Sequence, residues 1–426
     1  MSRVARLLTR PFSVLGRRAL AGAVVLRLAP LTFIVLRARR VVDPPGPVVA
    51  VIGSFGKTTT TQAIRAAVGL PLRAQRGTSV AFAAWHLLRR RLGRSLVVLE
   101  TGIERPGQMR PAAAALRPDA VVVTSIGHEH LLSFQTLERV RAEKAEMVRA
   151  LPSTGVTFLN GDDPHVLWMR AVAPGRVVTF GFGEHCDVVA SEPRIDWPTG
   201  MTVDVIVHGQ PSSLRLLLVG RPAVYAALAA VAVAIEFGID VVVAADRLSR
   251  LQPVPGRLQP VPTLSGATVL RDDFKSNWET VVTGLDLVAA LPVRRRFVVL
   301  GEVTEPPSPQ RAYYRQLGAR AGAVADRLIV VGEQGRAYRS GAASVGTSIL
   351  DAGTSVFTAL SHLPGDLGPG DLVFVKGRRV QRLERVALSL QGYTVGCRVV
   401  TCRAVMTTCD ICPRLEAGWP DGRVEA

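Results

Sequence analysis

The sequence predicts an α/β protein with a P-loop-type central domain built on a mostly parallel sheet, followed by a smaller Rossmann-like α/β domain. From Pro44 onward, short apolar segments typical of buried strands alternate with helical segments. That alternation favours βαβ units and hence parallel strands. A glycine-containing turn also follows the first apolar segment and leads directly into a helix, as in phosphate-binding loops.

The individual elements follow from the same alternation. In the first α/β region the predicted strands are Val48–Ile52, Ser95–Leu99, Ala120–Thr124 and Val156–Leu159, and the predicted helices are Thr58–Val68, Ser79–Arg90 and Leu137–Ala150. A strand-type alternation at Thr202–Val207 and a helix at Pro222–Phe237 come next. The second region has predicted strands near Thr268–Leu270, Arg296–Leu300, Arg327–Val331 and Asp371–Val375.

We divide the chain into four parts: a basic, apolar segment 1–45, a central α/β domain 46–253, a C-terminal domain 254–396 and a cysteine-containing tail 397–426. In the first part, arginines flank the apolar run Ala19–Leu36, and Arg27 and Pro30 interrupt it. A central arginine disfavours a membrane span. Three interpretations stay open: a helix on an anionic membrane surface, a true span, or a helix packed on the protein.

The charge and aromatic content of the chain limit the kinds of binding partner that we expect. The chain has 426 residues and a formal net charge of +18, but only 5% of its residues are aromatic. No pattern of basic residues interleaved with aromatics is visible, so no nucleic-acid partner is expected. We expect small-molecule substrates and a cytoplasmic location, with the N-terminal segment favouring the inner face of a membrane.

The phosphate-loop candidate is the run Gly53-Ser54-Phe55-Gly56-Lys57-Thr58-Thr59-Thr60. Backbone N–H groups at the helix start attract an anion, Lys57 adds a positive charge, and the Thr58 hydroxyl can reach Mg²⁺. The spacing is G-x-x-G-K-T, shorter than the general P-loop pattern. This run predicts ATP and Mg²⁺ as ligands, with Gly53, Gly56, Lys57, Thr58 and Thr59 at the phosphates.

Three further positions are candidate metal ligands. Glu100 ends a predicted strand at the edge where ligands bind in open α/β sheets, although a capping acid is the alternative. His128, Glu129 and His130 follow the next strand, and that pattern also suits Zn²⁺. Lys144 lies among charged residues of a predicted helix, which by itself indicates a solvated face.

Six ordered motifs between about residues 46 and 390 make the chain resemble the Mur ligase family, the ATP-dependent amino-acid ligases of peptidoglycan assembly. The likeness is greatest to the branch that adds D-alanyl-D-alanine. The motifs are Gly53–Thr60, Val98–Gly102 with Pro106-Gly107, Pro118-Asp119 through His130 to Lys144, Leu159–Pro164, Pro255–Arg257 with Asp272-Asp273, and Gly370–Arg378.

The resemblance implies roles for these residues. Lys57, Glu100, His130 and Lys144 would be catalytic, and Thr58, Glu100, His130 and Lys144 would ligate metal ions. Lys144 falls at the family's carbamoylated lysine, whose carbamate is an anionic ligand. Asn160, Arg257 and Asp273 would serve the nucleotide. The implied reaction is phosphorylation of a carboxylate by ATP, attack of an amine on the acyl phosphate, and release of an amide.

The chain departs from the family pattern at three places. The first 45 residues do not resemble the family's UDP-sugar-binding domain, which predicts a substrate other than the usual UDP-muramyl peptide. Pro222-Ala223 and Ala226 stand where the family has His-Asn and a further Asn beside the adenosine, so we expect ATP to bind differently or more weakly. Phe274–Trp278 replaces the family's Tyr-Asn-Ala-Asn-Pro run, so we expect a rebuilt acceptor pocket.

The tail carries four of the chain's five cysteines, at Cys397, Cys402, Cys409 and Cys412. Four thiolates suit Zn²⁺ or an Fe–S cluster, and a frayed tail with incidental thiols is the alternative. Three functions stay open. They are a ligase for a cell-envelope or specialised peptide-like substrate, a ligase of peptidoglycan synthesis, and a non-catalytic nucleotide-binding scaffold at the membrane.

Overall fold

The computed structural model describes residues 46–72, 95–404 and 407–419. The predicted N-terminal membrane segment and the predicted helix Ser79–Arg90 lie outside the described residues. No helix in the described part of the chain is long and apolar enough to cross a bilayer. The described residues up to Gln252, apart from Trp197–Thr199, form one compact unit, and Pro253 onward together with Trp197–Thr199 forms the other.

The first unit has a mixed, mostly parallel sheet. Its described strands are β1 (Val48–Ile52), β2 (Val97–Glu100), β3 (Ala120–Val123), β4 (Val156–Asn160), β5 (Arg176–Gly181), β6 (Val188–Ala190), β7 (Arg194–Asp196), β8 (Gly200–Val207) and β9 (Gln210–Leu216). The order is β2-β1-β3-β4-β5-β6-β8-β7, with β9 paired to β8. Strands β1 to β6 pair in parallel, and β7, β8 and β9 are antiparallel.

Helices cover both faces of this sheet. They are α1 (Lys57–Ala67), α2 (Met109–Leu116), α3 (Leu131–Phe134), α4 (Leu137–Arg149), α5 (Pro164–Leu167), α6 (Arg221–Glu236) and α7 (Val241–Leu248). Alternate residues of β1 enter two cores: Val49 and Val51 pack with α1 and α6, whereas Val48, Ala50 and Ile52 pack with α2 and α4. Burial on both faces explains why β1 is apolar throughout.

The second unit has a six-stranded sheet within the described residues, in the order β10-β11-β15-β12-β13-β14. The strands are β10 (Gln259–Pro262), β11 (Thr268–Asp272), β12 (Arg295–Leu300), β13 (Arg327–Val330), β14 (Ile349–Asp351) and β15 (Asp371–Lys376). Only β10 is antiparallel to its neighbour. The helices are α8 (Trp278–Ala290), α9 (Gln310–Gly322), α10 (Gly335–Ala343), α11 (Val356–Ser361) and α12 (Glu384–Leu390).

The predicted α/β class is confirmed, and the predicted strands and helices that fall on described residues are found with ends shifted by one or two residues. The model adds an antiparallel section, β7 to β9, of which the sequence indicated only part of β8.

Candidate active site

The phosphate loop joins β1 to α1. Gly53 has φ of +137° and Gly56, which precedes the helix, has φ of +80°. A Cβ on Gly53 would lie 2.1 Å from Thr124 Oγ1, so this position has no room for a side chain. The first N–H groups of α1 lie beside the loop and lack partners within the helix, which is the usual basis of anion binding at a helix start.

Two buried lysines converge on the loop. Lys57 Nζ donates to the carbonyl oxygens of Gly53 and Ser54, each at 2.9 Å. Lys144 Nζ, from α4, donates to the same Gly53 oxygen at 2.8 Å. The two residues are only 7% and 2% exposed. The prediction of a solvated face for Lys144 is therefore wrong, because α4 turns this residue inward beneath the loop.

Thr58 and Glu100 form the oxygen-donor pair of the site. The parallel pairing of β1 with β2 sets Glu100 opposite Val51, at the end of the sheet from which the loop leaves. Thr58 Oγ1 donates to Glu100 Oε2 at 2.8 Å, and Glu100 is 1% exposed. Carboxylate and hydroxyl oxygens are ligands that Mg²⁺ accepts.

Glu129, which the sequence grouped with His128 and His130 as a pattern that suits Zn²⁺, lies between two other candidate site residues. Its Oε2 lies 3.6 Å from Lys57 Nζ, and its Oε1 lies 3.5 Å from Nε2 of His130. The sequence did not predict its contact with Lys57. In the described part of the chain, the one set of three His, Cys or acidic side chains with ligand atoms within 4.8 Å of one another is Asp162, His185 and Cys186. His128, Glu129 and His130 do not form such a set.

Asn160, at the end of β4, connects the loop to a polar cluster at the end of β5. Asn160 Nδ2 donates to the Thr124 carbonyl at 3.0 Å, and its Oδ1 accepts from Asp162 N at 3.1 Å. Asp162 in turn accepts from Tyr225 Oη at 2.9 Å. Burial, followed by the Asp162 carboxylate, raises the pKa of Tyr225 to about 12. Asp162 is thus held by neighbouring donors.

Helix α6 is apolar at the positions where the family has hydrogen-bonding residues. Ala223 and Ala226 are buried in the core between α6 and the sheet. Tyr225 instead presents the polar atom of this turn, and its ring packs edge-on against Phe182 at 5.1 Å between centroids. The predicted change in adenosine binding stays a prediction.

In the second unit, Arg257 and Arg379 lie over the ring of Phe274, with guanidinium carbons 4.6 and 4.5 Å from its centroid. Phe274 begins the segment that replaces the family's Tyr-Asn-Ala-Asn-Pro run. The same segment ends at Asn277, which caps α8, and Trp278, whose ring lies 4.6 Å from that of Tyr313. The replaced residues therefore have structural partners of their own.

Asp273 and its neighbour Asp272 each pair with a buried cation. Arg271 Nε and Nη2 donate to the two Asp273 oxygens at 3.0 and 3.2 Å. Lys376 Nζ donates to Asp272 Oδ2 at 2.5 Å and to the Lys275 carbonyl at 2.7 Å. Burial raises the pKa of Asp273 to about 6. Sequence reasoning missed Arg271 and Lys376, although Lys376 stands in a quoted motif.

The model thus brings Lys57, Thr58, Glu100 and Lys144 to one loop of the first unit, with His130 beside Glu129 at its margin. Arg257 and Asp273 lie in the second unit, where the Asp273 carboxylate packs against Gly256. The donor set in the first unit fits Mg²⁺-bound triphosphate: two oxygen ligands, two cations and an open helix start. Glu100 and Thr58 would hold the ion, which would neutralise charge on the phosphates.

The cysteine tail is packed on α12 rather than frayed over its described residues. Cys397, Cys402 and Cys409 are buried, Cys412 is half-buried, and all four are free thiols. The prediction of Zn²⁺ or an Fe–S cluster here stays a prediction at this stage.

Two family models match the chain: residues 51–234 match the Mur ligase middle domain, and residues 256–379 match the Mur ligase glutamate ligase domain. The UDP-N-acetylmuramoyl-tripeptide–D-alanyl-D-alanine ligase of Mycobacterium tuberculosis is 31% identical over 371 residues, which cover 80% of this chain and 72% of that protein. The enzyme of the same name from Escherichia coli is 29% identical over 363 residues, covering 82% and 77%.

Solved structures agree on the fold. MurF ligase from Thermotoga maritima, in complex with ADP, has a TM-score of 0.74 at 21% identity and covers 85% of this chain and 83% of its own. MurF from Acinetobacter baumannii has a TM-score of 0.74 at 22% identity, covering 85% and 80%.

Proposed function

The chain belongs to the Mur ligase family of ATP-dependent, amide-bond-forming ligases, and from that premise we propose that it joins a carboxylate to an amine through an acyl phosphate. The substrate class we propose is a peptide-like precursor, either of the cell envelope or of a specialised product. The observation that carries the proposal is the convergence of Lys57, Lys144, Thr58 and Glu100 on the loop at Gly53. We further propose that the reaction takes place in the cytoplasm, where ATP is available.

The first half-reaction uses the charges of the loop. A carboxylate oxygen attacks the γ-phosphorus of ATP, the bond to ADP breaks, and an acyl phosphate forms. Lys57 and the N–H groups of α1 bind phosphate oxygens and offset the charge that develops during the transfer. In the second half-reaction the amine attacks the carbonyl carbon, phosphate leaves with the carboxylate oxygen, and the nitrogen loses its proton.

Lys144 would act as a carbamate. Two ammonium groups now share the Gly53 carbonyl, and like charges so close together disfavour each other. Addition of CO₂ to the unprotonated amine, with loss of a proton, would turn Lys144 into an anionic oxygen ligand. His130 would be a further ligand. We expect Lys144→Ala to lose turnover and small carboxylates to restore part of it.

A second candidate function is the same reaction with specific substrates. Both curated relatives described above are D-alanyl-D-alanine-adding enzymes, which favours UDP-N-acetylmuramoyl-tripeptide and D-Ala-D-Ala. The rebuilt segment at Phe274 favours a different pair of substrates, and this is why we keep the broader substrate class as the main proposal.

The test is a mass-spectrometric ligation assay with Mg-ATP, bicarbonate, UDP-N-acetylmuramoyl-tripeptide and D-Ala-D-Ala, followed by a panel of other carboxylates and amines. A carboxylate labelled with ¹⁸O should deliver one labelled oxygen to the released phosphate, because the acyl phosphate transfers it there. Lys57→Ala is the control. A nucleotide-binding protein with no carboxylate-dependent phosphate release across the panel would instead be a scaffold, and label absent from phosphate would exclude the acyl phosphate.

A further inference from the structure

The cysteine-rich segment has the ligand spacing of a structural zinc site. Its cysteines form two pairs, Cys397-x₄-Cys402 and Cys409-x₂-Cys412. Both spacings fall within the C-x₂₋₄-C range of structural zinc sites, in which four thiolates complete a tetrahedral shell. The run matches neither of the usual Fe–S ligand patterns, C-x₂-C-x₂-C-x₃-C and C-x₄-C-x₂-C.

The four side chains face one cavity. It has a volume of about 10 Å³ and is also lined by Arg382, Arg385, Leu415 and Trp419. The surrounding apolar clusters are very small: one contains Leu388, Cys409 and Leu415, and the other contains Cys397, Val399 and Cys402. Half of these buried residues are cysteines.

The apolar core of this segment is too small to hold the segment in place by packing alone. After α12 its described residues form no strand and only one helical turn, the 3₁₀ turn Cys409–Ile411. Irregular segments with so small a core usually depend on a disulfide or a metal. No disulfide is present among the four thiols.

Side chains of α12 and of the turn before it hold the cysteine-bearing backbone. Arg385 donates to the carbonyls of Cys397 at 2.6 Å and Val399 at 2.8 Å, and Glu384 accepts from Cys409 N at 2.6 Å. Arg382 donates to the Thr407 carbonyl at 2.8 Å. Both cysteine pairs are therefore fixed from the same side, around the same cavity.

The local charge favours an anionic occupant. Arg382 and Arg385 are each 2% exposed, and Arg379 lies close enough to interact with Cys402. Arginine stays protonated when buried. Glu384, 3.5 Å from Arg382, is the buried carboxylate in contact with this set. Among these buried side chains the arginines outnumber the carboxylate, and Zn²⁺ bound by four thiolates carries a net negative charge.

We propose that Cys397, Cys402, Cys409 and Cys412 bind one Zn²⁺ in a closed, structural site that fastens the C-terminal segment to α12. The four cysteines line the cavity, but no three of their sulfurs lie within 4.8 Å of one another, so the ion would draw them inward as the four thiols release their protons. This site is independent of the proposed ligase activity, so either proposal can fail without the other.

The test is the metal content of full-length, tag-free protein, measured by elemental and native mass spectrometry. Cys409→Ser and Cys412→Ser are the test variants. Cys186→Ser is the matched control, since Cys186 is a buried cysteine of the first unit. We expect about one zinc per chain in the wild type and in Cys186→Ser, and a loss of at least roughly tenfold in both test variants.

The absorption of bound Co²⁺ is a second measurement, and it does not depend on the stability of the test variants. Protein stripped with a chelator and refilled with Co²⁺ should show the absorption of tetrahedral cobalt–thiolate in the wild type and Cys186→Ser, and Zn²⁺ should raise the thermal midpoint of both. Three results would overturn the proposal: wild-type protein that stays free of zinc after reconstitution, iron with visible cluster absorption, or zinc lost in Cys186→Ser but kept in Cys409→Ser. The last would place the metal at Asp162, His185 and Cys186.

Discussion

The buried lysines of the two units have different bonding partners. In the first unit, Lys57 and Lys144 direct their ammonium groups at backbone carbonyls of the loop, and the Glu129 carboxylate lies 3.6 Å from Lys57. In the second unit, Lys376 is 1% exposed and bonds directly to Asp272 at 2.5 Å. A carbonyl dipole leaves the net positive charge in place, whereas a carboxylate cancels it.

The comparison separates two uses of buried charge. The Lys57 ammonium, bonded to carbonyls and only loosely paired with Glu129, can turn to an incoming phosphate. The Lys376–Asp272 pair joins β15 to β11. Because its two charges neutralise each other, it attracts a charged ligand only weakly. Breaking such a pair is costly because it leaves its partner charged and buried.

The largest expected effect is on the stability of the second unit. Lys376→Met should lower the free energy of unfolding by about 3–5 kcal/mol, because Asp272 would be left without its partner. Urea unfolding measures this. The double variant Lys376→Met with Asp272→Leu should recover much of the loss. Arg250→Met, which breaks an exposed pair with Asp246, is the control and should change little. A single variant as stable as the wild type would contradict our view of this pair.

The first unit should respond in activity rather than stability. Lys57→Ala should lower kcat/KM for ATP-dependent turnover by roughly 10²–10³-fold, the usual loss when a group that stabilises transferring charge is removed. Its thermal midpoint should fall less than that of Lys376→Met, because the Lys57 ammonium bonds to backbone carbonyls and lies 3.6 Å from Glu129, beyond hydrogen-bond distance. If turnover persists at the wild-type rate, the loop lysine does not act on the phosphates.

The dependence of turnover on Mg²⁺ concentration tests whether Thr58 and Glu100 in the first unit serve a ligand. Thr58→Val and Glu100→Gln should each raise the Mg²⁺ concentration needed for half-maximal turnover by roughly 10–100-fold, the range seen when support of a metal site is removed. Thr61→Val is the matched control, since Thr61 lies in the same helix and its buried hydroxyl has no hydrogen-bond partner among the residues that the structure describes. A Mg²⁺ titration that is unchanged in both test variants would rule out this pair as ligands.

The smallest effect is a change in pH dependence. Burial raises the pKa of Asp273 to about 6, above the ordinary value for an aspartate. The folded state therefore binds the extra proton, and this group's contribution falls as pH rises from about 4 to about 6. In Asp273→Asn that component should vanish, so the difference in unfolding free energy between variant and wild type should shift in the variant's favour over this window. A difference independent of pH would show that Asp273 titrates normally.

Much of the fold could be predicted because its signals are local. The strand–turn–helix order at Val48–Ala67 depends on adjacent residues: an apolar strand, glycines at positive φ, and a helix start. The antiparallel section β7 to β9 was only partly predicted, since Arg194–Asp196 is three residues long and Gln210–Leu216 begins with polar residues. Pairing with β8 supplies what their own sequences lack.

The sequence by itself determined the α/β class, the phosphate loop, the family and most of the residues that enter the candidate site. The tertiary structure decided which of those residues meet. Lys144 reaches Gly53 across 91 positions, and Lys376 reaches Asp272 across 104 positions because β11 and β15 pair in that register. Register and helix orientation follow from burial of whole strands and faces. For that reason a helix position that seemed solvated proved to be buried beneath the loop.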